Sequence, residues 1–350
     1  MRISVDLAER SYEVVLADDA RRELPNLLAV RAPRARTVVV VTSSTLRHQP
    51  WFDLQSGREQ HVLEVPDGEG AKSFATLEQL CDAFAALGLS RHDVVVAVGG
   101  GAVTDLVGFA AASYLRGVGV VHVPTSLVGQ VDAAIGGKTA INLRSGKNLV
   151  GAFHQPLGVL CDFSTLSTLP ARERAAGLGE VAKCWLLEGR PAQGLNDTTL
   201  AELVELSVRL KASIVSGDEF EGGQRALLNY GHTLAHALEL IALERNPDEL
   251  RHGEAVAVGL AYAVRLARAL GRVDDERVVE HDAVLGALGL SRGLPRSMSS
   301  ALLLEVMGHD KKAHHDLTFV LPGTDGFEVV AGIDPGLVTA VLESFRDEYA

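Results

Sequence analysis

Between Asn229 and Glu254 the chain reads Asn-Tyr-Gly-His-Thr-Leu-Ala-His, runs on with apolar residues at helical spacing, and then reads His-Gly-Glu. This segment offers three imidazoles, His232, His236 and His252. Residues four apart share one face of a helix, so His232 and His236 look the same way. A third imidazole about five helical turns later needs only a tight turn to swing back and join them. Upstream, Gly179-Glu180-Val181-Ala182-Lys183 sets a carboxylate and an ammonium three apart on another predicted helix. One carboxylate with two neutral imidazoles, leaving coordination positions open, commonly holds a catalytic divalent metal. Any one of these histidines alone reads better as a core or surface residue. Together they favour a site.

A second pattern concerns phosphate. Val94-Val-Val-Ala-Val98 runs into Gly99-Gly100-Gly101-Ala-Val-Thr-Asp105 and then into a predicted helix from Leu106 to Tyr114. Glycines at a strand-to-helix turn let the backbone approach a pyrophosphate, and the helix start adds unpaired N–H donors. The spacing is not Gly-x-Gly-x-x-Gly, and a triple glycine alone is as readily a structural tight turn as a ligand site. Asp67-Gly68-Glu69 with Lys72 forms another polar loop after a strand, and Thr125-Ser126 a third. Three such loops at strand carboxyl ends fit one extended nucleotide.

These residues need a scaffold. Residues 2 to 16 predict a hairpin of Ile3–Leu7 and Tyr12–Leu16 around a polar turn. Thr37–Thr42, His61–Pro66, Asp93–Gly99 and Gly119–Pro124 are β-branched runs separated by helical stretches, a pattern of parallel strands covered by helices. Beyond Leu166 long amphipathic helices take over, with a late strand pair near Leu317–Leu321 and Phe327–Val330. The expectation is an α/β chain with an N-terminal Rossmann-like, NAD-binding parallel-sheet domain over 1–165. A mainly helical metal- and substrate-binding domain follows over 166–350, the active site lying in the cleft between them.

Composition narrows the function. The chain has 350 residues, 47% of them hydrophobic, and a formal charge of -12. Nucleic acid is held by excess Lys and Arg, so a nucleic-acid footprint is not expected. The apolar runs stop far short of the roughly 20 residues of a membrane helix, so no membrane partner is expected either. The N-terminus carries no apolar signal segment, which places the expected protein in the cytoplasm. Cys81, Cys161 and Cys184 are distant from one another and expected to be reduced. A cluster of buried cations can still bind a small anionic substrate on an acidic protein.

Taken in order, Asp67-Gly-Glu, Gly99-Gly-Gly, Tyr114-Leu-Arg-Gly117, Val131-Asp132, Gly136-Gly-Lys-Thr139, Gly146-Lys-Asn148, Gly179-Glu180, Asn229-Tyr-Gly-His232, His252-Gly-Glu254 and Asp310-Lys-Lys312 cover nearly the whole chain. This series resembles the sugar-phosphate cyclases of the 3-dehydroquinate synthase type. The resemblance implies NAD as cofactor and zinc, or cobalt in its place, on Glu180, His232 and His252. It implies that Asp132, Lys138, Lys147, Asn148, Lys183, Lys211, Arg225, Asn229, His236 and Lys312 surround a small anionic sugar-acid phosphate, with Lys138 and Lys147 also serving the nucleotide. Arg116 would approach the phosphate from the neighbouring subunit of a homodimer. Lys211 and Arg225, fourteen apart across Asp218-Glu219-Phe220-Glu221, can converge as a carboxylate fork.

In such enzymes NAD first oxidises a ring hydroxyl with the metal as Lewis acid, phosphate is lost, the ketone is reduced again, and ring opening with aldol closure gives the carbocycle. The departing phosphate is thought to act as its own base, which leaves His236 for proton relay or phosphate contact. Retention of Gly136-Gly-Lys-Thr139, Lys211, Arg225 and Asn229 favours an acid substrate over sedoheptulose 7-phosphate. Ala140 in place of the usual glycine, and a short segment between Lys183 and Lys211, resemble the aminodehydroquinate synthases of aminoshikimate pathways. A metal-dependent polyol dehydrogenase is the competing class, and it would turn NAD over with fewer cations. A non-catalytic scaffold is disfavoured because Glu180 and Lys138 are both present.

Overall fold

The computed structural model describes residues 1–245, 249–309 and 317–349. In chain order it runs β1 Arg2–Val5, β2 Tyr12–Ala17, α1 Leu24–Arg31, β3 Thr37–Ser43, α2 Ser44–Arg47, β4 Glu59–Val65, α3 Phe74–Ala86, β5 Val94–Gly99, α4 Gly101–Ser113 and β6 Gly119–Pro124. Then come β7 Lys138–Leu143, β8 Gly146–Phe153, β9 Gly158–Asp162, α5 Ala171–Leu187, α6 Leu200–Gly217, α7 His232–Arg245, α8 His252–Ala269, α9 Asp275–Ala287, α10 Ser300–His309, β10 Phe319–Gly323, β11 Gly326–Val330 and α11 Pro335–Glu348. Residue contacts divide the chain into two compact units, Met1–Arg174 with Lys211–Phe220, and Ala175–Leu210 with Glu221–Ala350.

The first unit is built on a sheet ordered β1-β2-β9-β6-β5-β3-β4, parallel apart from the β1–β2 hairpin. Its central strands are unbroken valine runs because both faces are covered. Successive side chains point to opposite faces, so Val39, Val41, Val95 and Ala97 pack with Leu80, Phe84, Leu106 and Val107 of α3 and α4. Val38, Val40, Val94 and Val96 pack with Leu24 and Leu28 of α1 on the other face. Fully burying such a side chain contributes about 1.5–3 kcal/mol, which is why this β-branched pattern determines the sheet.

Three corrections follow. The helix after the triple glycine begins at Gly101 rather than Leu106, so Asp105 stands in its second turn and not in the loop. The β7–β8 hairpin and β9 were not expected, yet β9 fills the sheet between β2 and β6. Tyr114 falls outside that helix, in a tight turn where Leu115 and Arg116 take left-handed conformations, φ 50° and 65°.

The second unit is helical, apart from the β10–β11 hairpin. Its α8 is buried along nearly its whole length, from Gly253 to Ala267 except Glu254. A helix buried along nearly its whole length belongs in the middle, and α7, α9, α11 and β10 pack around α8. Among the described residues no helix is long and apolar enough to cross a membrane.

Candidate active site

Backbone contacts within the second unit bring three side chains together. A Cβ on Gly253 would lie 1.5 Å from the carbonyl oxygen of Ala176, and one on Gly179 would lie 2.1 Å from that of Gly253. No other residue fits there, so α5 meets the start of α8 at its glycines. Glu180 follows Gly179, His252 precedes Gly253, and His252 Nε2 reaches Glu180 Oε1 at 3.1 Å. The start of α7 is placed the same way. A Cβ on Gly259 would come within 1.9 Å of the Gly231 carbonyl oxygen, and Gly231 itself has φ +79°. His232, the next residue, brings its Nε2 to 3.3 Å from the same Glu180 oxygen. Ligand atoms of Glu180, His232 and His252 all lie within 4.8 Å of one another.

The far side of each imidazole determines its tautomer. His232 Nδ1 is 3.1 Å from the Tyr230 carbonyl oxygen, and His252 Nδ1 is 2.9 Å from Glu239 Oε2. Carbonyls and carboxylates only accept, so both Nδ1 atoms carry the hydrogen. Both Nε2 lone pairs then face a carboxylate oxygen. One carboxylate with two imidazoles gathered at one point could hold a divalent ion of the zinc or cobalt kind. The residues therefore fit a metal.

Glu180 is 1% exposed and its other oxygen pairs with the buried Lys183. Burial alone would raise the Glu180 carboxyl, but Lys183, His232 and His252 outweigh it and hold it well below the ordinary range. Burial, joined by the Lys183 charge, lowers His232. Burial also works to lower His252, but Glu239 and Glu180 overcome it and raise it well above the ordinary value. His236 is exposed, its ring centroid 5.4 Å from that of His232, as the four-residue spacing predicts.

The first unit gathers a second set. The buried Lys72 donates to Asp105 Oδ2 at 2.6 Å and to Asn148 Oδ1. Asn142 ties these to Glu69 through its Nδ2, 2.9 Å from Glu69 Oε2, and accepts from the Asn148 N–H at 2.9 Å. Asn148 itself has φ 57°. Burial drives the Asp105 carboxyl up to about 6 against the pull of Lys72. Asp67 accepts from Thr45 Oγ1 at 2.7 Å, and the hydroxyls of Ser43, Thr45 and Ser44 outweigh burial and hold its carboxyl below the usual range.

The Asp67, Gly99-Gly100-Gly101 and Thr125-Ser126 loops leave the carboxyl ends of β4, β5 and β6. Strand order turns back between β3 and β5, the position where open parallel sheets bind ligands. A Cβ on Gly99 would meet Val103 Cβ at 2.5 Å, so packing within the turn itself requires glycine at this position.

Lys211 is buried and donates to both the carbonyl and the carboxylate of Asp132. Lys138 is exposed at the start of β7, Lys147 is half-buried on β8, and Arg116 is exposed. In the second unit Arg225 is 2% exposed, and Asn229 Nδ2 donates to Glu221 Oε1 at 3.0 Å. Lys312 lies outside the described residues. Sequence reasoning missed Glu239, Tyr230 and Glu221. Glu239 stands seven residues after His232, on the same helix face, and that spacing is the one signal that pointed to it.

Residues 62–176 match the family description 3-dehydroquinate synthase N-terminal, and residues 177–313 match 3-dehydroquinate synthase C-terminal. A protein of Amycolatopsis mediterranei, provisionally named an aminodehydroquinate synthase, is 50% identical over 341 residues, covering 97% of this chain and 93% of that protein. The 3-dehydroquinate synthase of Mycobacterium leprae is 43% identical over 350 residues, covering 93% of each. Among solved structures, 2-deoxy-scyllo-inosose synthase complexed with carbaglucose-6-phosphate, NAD+ and Co2+ superposes with a TM-score of 0.86 at 25% identity, over 99% of this chain and 100% of that one.

Proposed function

The chain belongs to the 3-dehydroquinate synthase family, and from that premise we propose that it converts 3-deoxy-D-arabino-heptulosonate 7-phosphate, or its 4-amino analogue, to the corresponding dehydroquinate with release of phosphate. It is a phosphate-eliminating cyclase that uses NAD and one divalent metal, zinc or cobalt. The observation that carries the reading is the convergence of Glu180, His232 and His252 within 4.8 Å, with Lys183 against the carboxylate. When bound, NAD supplies a reversible hydride acceptor and the metal a Lewis acid for adjacent substrate oxygens.

The remaining work belongs to the chain's own groups, and it is mostly positioning and charge stabilisation. Gly99-Gly100-Gly101 and the start of α4 receive the pyrophosphate, while Asp67, Glu69, Lys72, Asp105, Thr125 and Ser126 hold the rest of the nucleotide. Lys138, Lys147, Asn148 and Lys312 contact the substrate phosphate or its neighbours, and Arg116 reaches it from a second copy in a homodimer. Lys211 and Arg225 take the substrate carboxylate, with Asp132 holding the Lys211 ammonium. Asn229 and Lys183 hold substrate oxygens. His236 moves the proton. Buried cations such as Lys183, Lys211 and Arg225 explain how a chain of net charge -12 binds an anion.

The amino substrate is favoured by the 50% identity to the Amycolatopsis protein against 43% to the mycobacterial one. Ala140 and the short segment before Lys211 point the same way. The test is phosphate release from the hydroxy acid, the amino acid analogue and sedoheptulose 7-phosphate, measured side by side. The two acids should far outrun sedoheptulose 7-phosphate, and a preference for the latter would overturn the substrate assignment.

A further inference from the structure

We propose that Glu239 is a positioning residue of the metal centre, orienting His252 and strengthening its Nε2 as a donor. The inference rests on the reading that Glu180, His232 and His252 hold the metal. His232 is walled in, its side chain 9% exposed, and is fixed by a neutral carbonyl. His252 is the first residue of α8 and its side chain is 31% exposed, so packing alone does not fix its ring. Glu239, on the same face of α7 as His232, takes over that task with a carboxylate 2.9 Å from Nδ1.

Glu239 places a carboxylate one imidazole away from the buried Glu180–Lys183 pair. A carboxylate on the far nitrogen also makes the near nitrogen more basic, and such partners are generally worth 10–100-fold in metal affinity. One helix thus supplies a ligand, His232, and the support of a ligand borne by another helix, His252.

The experiment uses the full chain, stripped of metal, with zinc affinity measured by competition against a chromophoric chelator. Wild type, Glu239→Gln, Glu239→Ala and His252→Ala are compared. The expected result is one zinc per wild-type chain, about 10–100-fold weaker binding in Glu239→Gln with unchanged stoichiometry, and no stoichiometric binding in His252→Ala. Gln is nearly isosteric and its amide oxygen still accepts from Nδ1, so a purely structural role predicts that Glu239→Gln keeps wild-type affinity while only Glu239→Ala loses it. That outcome overturns the proposal.

Long-range proton–nitrogen spectra of zinc-loaded protein give a second readout. His252 should carry its hydrogen on Nδ1 in wild type, with the signal shifted upfield in Glu239→Gln as the hydrogen bond weakens. An unchanged signal counts against the proposal. Wild-type zinc affinity in His252→Ala would instead refute the metal site itself, a failure distinct from that of Glu239.

Discussion

At the scale of single residues, the proposed metal site rests on Glu180, His232 and His252. Glu180→Gln and His252→Ala are each expected to remove both bound metal and activity, because either change breaks a set of three donors with open positions left for substrate. Elemental analysis of the purified variants checks this, and full occupancy in both would refute the assignment. The residue types suggested a metal site, and the choice of this set came from the ordered motifs Gly179-Glu180, Asn229-Tyr-Gly-His232 and His252-Gly-Glu254 that resemble the family. Glu239 was not legible, since its partner comes from a different helix.

A second residue-scale prediction concerns acid. His281 is fully buried, and burial lowers its pKa to about 4 from 6.5. A base with a depressed folded pKa gives stability that is present above the unfolded value and lost as pH falls toward the folded one. Stability should therefore drop between about pH 6.5 and 4, with His281 accounting for on the order of 3 kcal/mol of it. Denaturant unfolding of wild type and His281→Gln across that window measures the share. Parallel curves for the two proteins would contradict it.

At the scale of elements, the glycines are what bring the helices to the site. Gly253→Ala would push a methyl carbon into the Ala176 carbonyl, so α5 and α8 must part and Glu180 must withdraw from His252. The expected cost is about 1–3 kcal/mol or more in stability, as for other overpacked contacts, together with a fall in metal affinity. Calorimetry with and without zinc tests both. A Gly253→Ala protein with wild-type stability and affinity would show that the contact does not position the ligands.

The central strands were readable because valine runs between two buried faces leave a continuous apolar signal. The β7–β8 hairpin was not, since β8 is Gly-Lys-Asn-Leu-Val-Gly-Ala-Phe, largely solvent-facing and rich in glycine. β9 is five residues, too short to separate from a loop by periodicity. The start of α4 was misplaced because Gly101 is a poor helix former at a position where the turn, not propensity, decides.

For the whole molecule, the proposed function gives each unit a different task. Loops at the carboxyl ends of parallel strands suit a nucleotide, and the helical unit gathers the three residues that could hold a metal. If Lys211 and Arg225 bind the substrate carboxylate, Arg225→Ala should slow turnover of the acid substrate by roughly one to two powers of ten. That is the cost of losing a charge-assisted contact of about 1.5–3 kcal/mol. An Arg225→Ala enzyme as active as wild type would remove the fork from the account.

The central claim is that hydride leaves and returns within one turnover while phosphate departs. It is tested by counting released phosphate and accumulated NADH in the same reaction, with the heptulosonate phosphate in excess over enzyme and NAD. The account predicts many phosphates released per NAD with no steady growth of NADH. NADH accumulating in step with substrate loss, without phosphate release, would contradict it and make the protein a dehydrogenase.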